Sequence, residues 1–459
     1  MNFKEYLESL KGKRVAVVGA GISNTPLIEA LLEAGIQTVV CDKRTFEEMG
    51  ETASYFISLG AVLESGEQYL DNLNADVVFR TPGLMPSHPA LVEAAKKGAV
   101  LTSEMEIFFE VCPCKTIGIT GSDGKTTTTS IIAALLETEG YTVHKGGNIG
   151  TPLLCEVDKM QPSDIAVLEL SSFQLISMKK CPDIAVVTNL SPNHLDVHKD
   201  MDEYVGAKRN IFIRQKSTDK SVFNMDNQYT RRYAETSPSI VSYFSRKEVV
   251  QNGFYTDGSM VFEARDGKSA SFMSISDILL PGVHNVENYL AAFTAVQGLV
   301  KHETMIKTAR SFGGVAHRIE LVRDLCGVRY YNDSIASSPS RTIAGLKSFD
   351  QKVILIAGGK DKGIPFDEFG KEIIKHVKTL VLTGHTADLI RNAVVSAHGY
   401  DGKPEIISCS EFKDAILAAA EVAKNGDIVL LSPACTSFDR FRNFEERGDT
   451  FRKIVNDLT

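Results

Sequence analysis

No stretch of this chain approaches the ~20 consecutive apolar residues that a membrane-crossing helix needs, so membrane insertion is not expected. Basic residues are not in excess: 50 Lys and Arg against 58 Asp and Glu leave a formal net charge of −8. That balance argues against a broad phosphate-tracking surface, and no nucleic-acid partner is expected. The eight cysteines form no CxxC pair. The tightest spacing, Cys112 and Cys114 around Pro113, is too short for the usual zinc or dithiol motif. Reduced thiols in a cytoplasmic protein are the expectation. Residues 1–10 are charged and lack the apolar core of a signal peptide. Proline- or serine-rich linkers, low-complexity tracts and short repeats are missing too.

What is present is an ordinary globular mixture, 43% hydrophobic and 24% charged over 459 residues. At roughly 150 residues per domain this suggests about three domains. Apolar runs at 14–19, 38–41 and 75–79 read as strands, with an amphipathic helix over 26–34. The pattern restarts at 115–120 and continues through buried strands at 165–169 and 184–188. A polar alternating segment over 251–276, with Asp-Gly turns, predicts a hairpin at a sheet edge. A third run begins near Ala316 and includes strands at 353–357, 379–382 and 427–431. The expected fold is α/β with three domains: 1–105 Rossmann-like, 106–313 a P-loop ATPase-like parallel sheet, and 314–459 Rossmann-like.

The strongest local signal is the loop Gly118, Gly121, Ser122, Asp123, Gly124, Lys125, Thr126, Thr127 between a strand and a helix. Backbone N–H groups and a helix N-terminus would face a polyphosphate, with Lys125 adding charge and Thr126 a hydroxyl for Mg²⁺. The glycine spacing departs from the standard P-loop, but Lys-Thr in this context favours phosphate over a plain glycine turn. Glu169 ends an apolar strand beside that loop, where a metal- or water-positioning carboxylate belongs. His194 follows the strand at 184–188 and would lie at the same sheet edge; taken alone, such a histidine is more often structural. Lys208, on a predicted helix, reads alone as a solvated surface charge. Gly19, Gly21 and Asn24, with Asp42 after the next strand, form a near-match to a dinucleotide turn whose third glycine is replaced. Some diphosphate remains attractive there.

Taken in order, these motifs resemble the Mur ligases over essentially the whole chain. The most discriminating segments are 118–127, 169–175, 189–196, 284–288, 317–320, 332–334 and 432–448. The last is similar to the D-glutamate-adding members, and the Asp-Asn-Pro-Arg string of the diaminopimelate- or lysine-adding ones is absent. The resemblance implies an ATP-dependent ligase that joins D-glutamate to UDP-N-acetylmuramoyl-L-alanine through an acyl phosphate, using ATP and Mg²⁺, as a cytoplasmic monomer. It implies that Ile22, Ser23, Lys43, Arg44, Thr81 and Gly83 grip the UDP part, with Asn148 and Ser171 as further substrate contacts. Residues 121–127, Asn285, Asn288, His317, Arg318 and Asp333 would surround the nucleotide. Thr126, Glu169, His194 and Lys208, the last as a carbamate, would serve the metal, with Lys125 at the phosphates. Ser337, Lys362, Ser437 and Phe444 would hold D-glutamate. One departure is Ile335, where the family often carries lysine; Lys360 or Arg341 is a candidate to restore the charge. Two other readings stand beside this one: an NAD-dependent oxidoreductase, resting on Gly19 to Asp42, and a non-catalytic nucleotide-binding regulator. Within the class, another Mur ligase or a folylpolyglutamate synthase is the nearest alternative, and the extra N-terminal region disfavours the latter.

Overall fold

The computed structural model describes residues 1–459. Three sheets account for its strands. The first has five parallel strands in the order Val62–Ser65, Gln37–Asp42, Arg14–Val18, Val77–Arg80, Val100–Thr102. Strands are added outward in one direction up to Val62–Ser65 and in the other from Val77–Arg80, so the turns after Arg14–Val18 and Val77–Arg80 flank a single crevice.

The second sheet has nine strands. From one edge they run Val143–Gly147, Ile165–Glu169, Lys115–Thr120, Ile184–Val187, Lys220–Asn224, Ile240–Ser245 and Gly253–Thr256, all parallel. Met260–Arg265 and Lys268–Ser274 then add antiparallel, giving the hairpin edge that alternation and Asp-Gly turns foretold. The sheet is therefore mixed rather than purely parallel. Strands 165–169 and 184–187 are buried throughout, which is why they read as unbroken apolar runs.

The third sheet orders Glu320–Leu325, Val328–Asn332, Ile428–Leu431, Val353–Ala357, Val377–Leu382 and Glu405–Ser408. Its first pair is antiparallel and the rest parallel. The chain divides into two compact units, Met1–Ile275 with Glu287–Thr308, and Ser276–Val286 with Ala309–Thr459. No helix is long and apolar enough to cross a membrane.

Helix Lys125–Glu139 illustrates how the core positions a site. Ile131, Ile132, Leu135 and Leu136 are fully buried, so removing one of these side chains to Ala would cost about 2–5 kcal/mol. The anchored helix holds its N-terminus at the end of strand Lys115–Thr120.

Candidate active site

The loop joining that strand and helix turns on two glycines that no other residue could replace easily. Gly121 has φ 152°, and a Cβ there would fall 1.9 Å from Thr188 Oγ1. Gly124 has φ 79°, and its Cβ would fall 2.4 Å from Asn288 Oδ1. The Lys125 ammonium donates back to the carbonyls of Gly121 and Ser122, each at 2.9 Å, so its charge sits over the loop. Ser122 is fixed from behind by Tyr204 Oη at 3.0 Å and the Ser191 carbonyl at 3.0 Å. The Asp123 N–H donates to Asn189 Oδ1 at 2.9 Å. Thr127 is buried, and Asn288 accepts from Thr128 Oγ1 at 3.2 Å on helix Val283–Val296, which also carries Asn285.

Glu169 is 2% exposed and has both oxygens engaged. Thr126 Oγ1 donates to Oε2 at 2.7 Å, and Asn148 Nδ2 donates to Oε1 at 2.9 Å. Thr126 and Asn148, expected at the metal and at the UDP-sugar respectively, thus meet on one carboxylate. Ser171 caps the short helix Ser172–Leu175, accepting from the Gln174 N–H at 3.2 Å.

Lys208 departs most from its local reading. It is 2% exposed, not a solvated surface charge. Its ammonium donates to Thr120 Oγ1 at 3.1 Å and the Gly121 carbonyl at 2.9 Å, over the Tyr204 ring at 4.9 Å. Burial, followed by the nearby Lys125 charge, pushes its pKa well below the ordinary lysine value. A neutral amine, unlike an ammonium, is nucleophilic. His194 has φ 55°, and its ring meets Phe173 edge-on with centroids 5.2 Å apart. Burial and then the Lys125 and Lys208 charges lower its pKa, keeping the imidazole neutral and able to ligate. No three His, Cys, Asp or Glu side chains form a ready-made metal cage. Oxygen donors from Thr126 and Glu169, with one imidazole, fit a hard ion that takes its remaining ligands from phosphate and water.

The first glycine turn looks similar in outline and is filled differently. Asn24 is 2% exposed and donates to the carbonyls of Val18 at 3.2 Å and Gly19 at 2.9 Å. Buried Asp42 accepts from the Ala20 N–H at 2.8 Å and from Arg44 Nε and Nη2 at 3.0 and 2.9 Å. Burial alone would raise the Asp42 pKa, but these bonds hold it below the usual carboxylate value. Its oxygens are therefore committed to the turn and to Arg44 rather than offered to a ribose, which weakens the dinucleotide reading. Around the crevice Ile22, Ser23, Lys43, Arg44 and Gly83 are exposed, and Thr81 packs against Gly19, whose Cβ would lie 3.0 Å from Thr81 Cβ.

The second unit gathers another set. Asp333 is 4% exposed and accepts from Ser432 Oγ at 2.7 Å, and burial pushes its pKa up to about 7. His317, at φ 62°, is held through Asn332 Nδ2 at 3.1 Å, and its ring lies edge-on to Phe444 at 5.9 Å. Arg318 is exposed next to it and contributes positive charge toward Asp333. Asn285 donates to the Pro281 carbonyl at 2.6 Å. Lys362 Nζ reaches Ser337 Oγ at 3.5 Å, and Ser437 is buried under Phe441 and Arg440, whose N–H groups donate to its carbonyl. Ser334 Oγ donates to the Phe444 carbonyl at 2.8 Å. Arg341 donates to the Ile335 carbonyl at 3.4 Å, and its charge also acts on Asp333. Arg447, which the sequence reading passed over, is 2% exposed and braces Ser334 and the Cys435 carbonyl.

The Mur ligase middle-domain model matches residues 119–296, and the Mur ligase glutamate-ligase-domain model matches 317–435. The UDP-N-acetylmuramoylalanine--D-glutamate ligase of Clostridium novyi (strain NT) is 51% identical over 458 residues, covering 99% of each chain. Its counterpart in Ruminiclostridium cellulolyticum is 47% identical over 459 residues, again covering 99% of each. The chain belongs to the Mur ligase family.

Solved Mur ligases share its fold at low identity. A UDP-N-acetylmuramate-alanine ligase from Thermotoga maritima superposes with a TM-score of 0.56 at 17% identity, covering 97% of this chain and 99% of its own. A UDP-N-acetylmuramoyl-L-alanyl-D-glutamate--2,6-diaminopimelate ligase gives 0.59 at 18% identity, covering 85% and 94%. In this Mur ligase, residue types and spacing alone singled out Lys125, Thr126 and Glu169. Lys208 needed the family resemblance, because a lysine on a mean-polar helix carries no local sign of burial.

Proposed function

We infer that the chain is an ATP-dependent amide ligase that joins D-glutamate to UDP-N-acetylmuramoyl-L-alanine, releasing ADP and phosphate, in peptidoglycan precursor synthesis. The observation that carries this reading is the cluster of Lys125, Thr126, Glu169 and Lys208 at one sheet edge in a chain so similar, end to end, to D-glutamate ligases. We propose three domains, 1–105 for the UDP-sugar, 106–313 for ATP and 314–459 for the amino acid.

A carboxylate is a poor electrophile, so the alanyl carboxylate is first phosphorylated and the amine of D-glutamate then displaces phosphate. Lys125 swings from its loop carbonyls to the β/γ-phosphates and offsets charge there. Thr126, Glu169, His194 and carbamylated Lys208 would hold Mg²⁺. When bound, Mg²⁺ would neutralise phosphate oxygens during transfer. Asn285, Asn288, His317, Arg318 and Asp333 would line the nucleotide. Ile22, Ser23, Lys43, Arg44, Thr81 and Gly83 would take the UDP group, and Asn148 and Ser171 would orient the sugar end. Ser337, Lys362, Ser437 and the Phe444 backbone would receive the two carboxylates of D-glutamate. Arg341 is better placed than Lys360 to supply the charge absent at Ile335, because it already acts on Asp333. The site works in the cytoplasm on a monomer.

Phosphate release, measured with UDP-N-acetylmuramoyl-L-alanine, ATP and each of a panel of amino acids, tests the reading. Turnover should require D-glutamate. Equal rates with L-glutamate, or faster ones with L-lysine, would overturn the substrate assignment. Hydride transfer to NAD in place of phosphate release would revive the oxidoreductase.

A further inference from the structure

Arg80 ends strand Val77–Arg80 and is among the largest fully buried side chains, 1% exposed. Burying a guanidinium is unfavourable unless its donors are met. Here Nη1 donates to the carbonyls of Thr81 at 3.4 Å, Pro82 at 3.5 Å and Leu84 at 3.2 Å. Nη2 donates to the Phe173 carbonyl at 2.8 Å and Ser177 Oγ at 2.7 Å. Nε is buried with no partner. The two nitrogens divide their work. One gathers the turn at the switch-point crevice, and the other fastens the segment carrying Phe173.

Phe173 in turn backs the proposed metal histidine. Its ring stacks on His198 at 5.1 Å and 4°, and meets His194 edge-on. Ser177 passes the connection on, donating to Glu106 Oε2 at 3.1 Å, which also accepts from Ser103 Oγ at 3.0 Å. Burial lowers the Arg80 pKa, yet an arginine remains charged at neutral pH. A planar fork with two separate terminal nitrogens can span both segments. A single lysine ammonium cannot.

We infer that Arg80 is a positioning residue for ligation, holding the turn 81–84 at a fixed distance from the Phe173–His194 wall so that the alanyl carboxylate meets the phosphoryl group. This rests on the reading of Thr81 and Gly83 as UDP-sugar contacts. Arg80 touches no reacting atom itself. Its effect is transmitted through the turn.

The test uses the full chain with Arg80→Lys and Ser177→Ala, measuring kcat and KM for all three substrates and amide hydrogen exchange at 81–84 and 171–177. Arg80→Lys should raise KM for UDP-N-acetylmuramoyl-L-alanine about tenfold and lower kcat, with KM for ATP and D-glutamate within about twofold. Ser177→Ala should move the same constant about threefold, and it decides the matter if Arg80→Lys does not fold. Exchange should quicken in both segments together. An unchanged KM for the UDP-sugar, or equal shifts in all three constants, would reduce Arg80 to a structural brace. If the wild type does not turn over the UDP-sugar, the functional reading falls, while exchange still judges the coupling: loosening of one segment without the other would overturn it.

Discussion

Two glycine turns in one compact unit, Gly19 to Asn24 and Gly118 to Thr127, share a strand, a tight turn and a helix, yet their interiors differ. The first is closed by its own side chains: Asn24 on the Val18 and Gly19 carbonyls, Asp42 on the Ala20 N–H and on Arg44. The second is lined by two amines, Lys125 and Lys208, that point at the same Gly121 carbonyl, with Glu169 within a hydroxyl's reach. Backbone shape alone therefore does not decide what a glycine turn binds. The groups that fill it decide whether charge is met from inside the protein or from a ligand.

The comparison breaks most visibly at Lys125. Lys125→Ala should lower kcat/KM about 10³-fold, or about 4 kcal/mol of transition-state stabilisation, while thermal unfolding stays within a few degrees. Near-normal turnover in the folded variant would make the second turn no more catalytic than the first.

Lys208 comes next. Its buried ammonium has a hydroxyl and a carbonyl as partners rather than a carboxylate. Replacing it by Met should keep or raise Tm, because a buried amine with no carboxylate partner gains little from its polar head. Activity should nevertheless fall about 10²-fold, and in Lys208→Ala short-chain carboxylates should restore part of it. Unchanged turnover at limiting Mg²⁺ would strike the carbamate from the site.

These two residues also mark what sequence could and could not convey. Strands 165–169 and 184–187 were legible because burial on both faces demands unbroken apolar runs. Lys220–Asn224 and Ile240–Ser245 were not, since each mixes polar residues such as Ser221 and Ser242 that are buried by neighbouring strands rather than by pattern. Glu169 was legible as a charge after an apolar strand. Lys208 and Arg80 were not, because a cation's burial depends on partners distant in sequence, Thr120 for one and Phe173 for the other. Asn24 stands in sequence only as a replaced glycine, and nothing there shows that it tethers two carbonyls. Cys112 and Cys114 were set aside for their spacing, yet their sulfurs lie 3.5 Å apart.

Asp42 sharpens the comparison through pH. Its folded-state pKa is depressed, so its contribution is complete above the unfolded carboxylate value of about 4 and is lost as pH falls through the folded value. Asp42→Asn should cost about 1–2 kcal/mol at pH 7, read as a lower Tm, with the gap to wild type closing below about pH 4. A gap independent of pH would mean that the ionised carboxylate is not what closes the turn.

The smallest effect belongs to Asn24→Gly, which restores the missing glycine of the dinucleotide pattern. It should cost about 1 kcal/mol by releasing the two carbonyls, and calorimetric titration should still detect no NAD binding. Saturable NAD binding would show that one side chain, rather than the committed carboxylate of Asp42, kept the first turn closed.

The strand order of the nine-stranded sheet has a consequence for synthesis. Lys115–Thr120 lies between Ile165–Glu169 and Ile184–Val187, both of which follow it in the chain. As the polypeptide leaves the ribosome, the five strands of the first sheet are all available by residue 102. The strand that presents Lys125 follows at residues 115–120 with neither neighbour yet made, and it gains its second only when residue 187 has emerged. A nascent chain can thus assemble the crevice of its first sheet well before the glycine loop at 121–127 has walls. ATP has no preformed seat on a chain stalled in between.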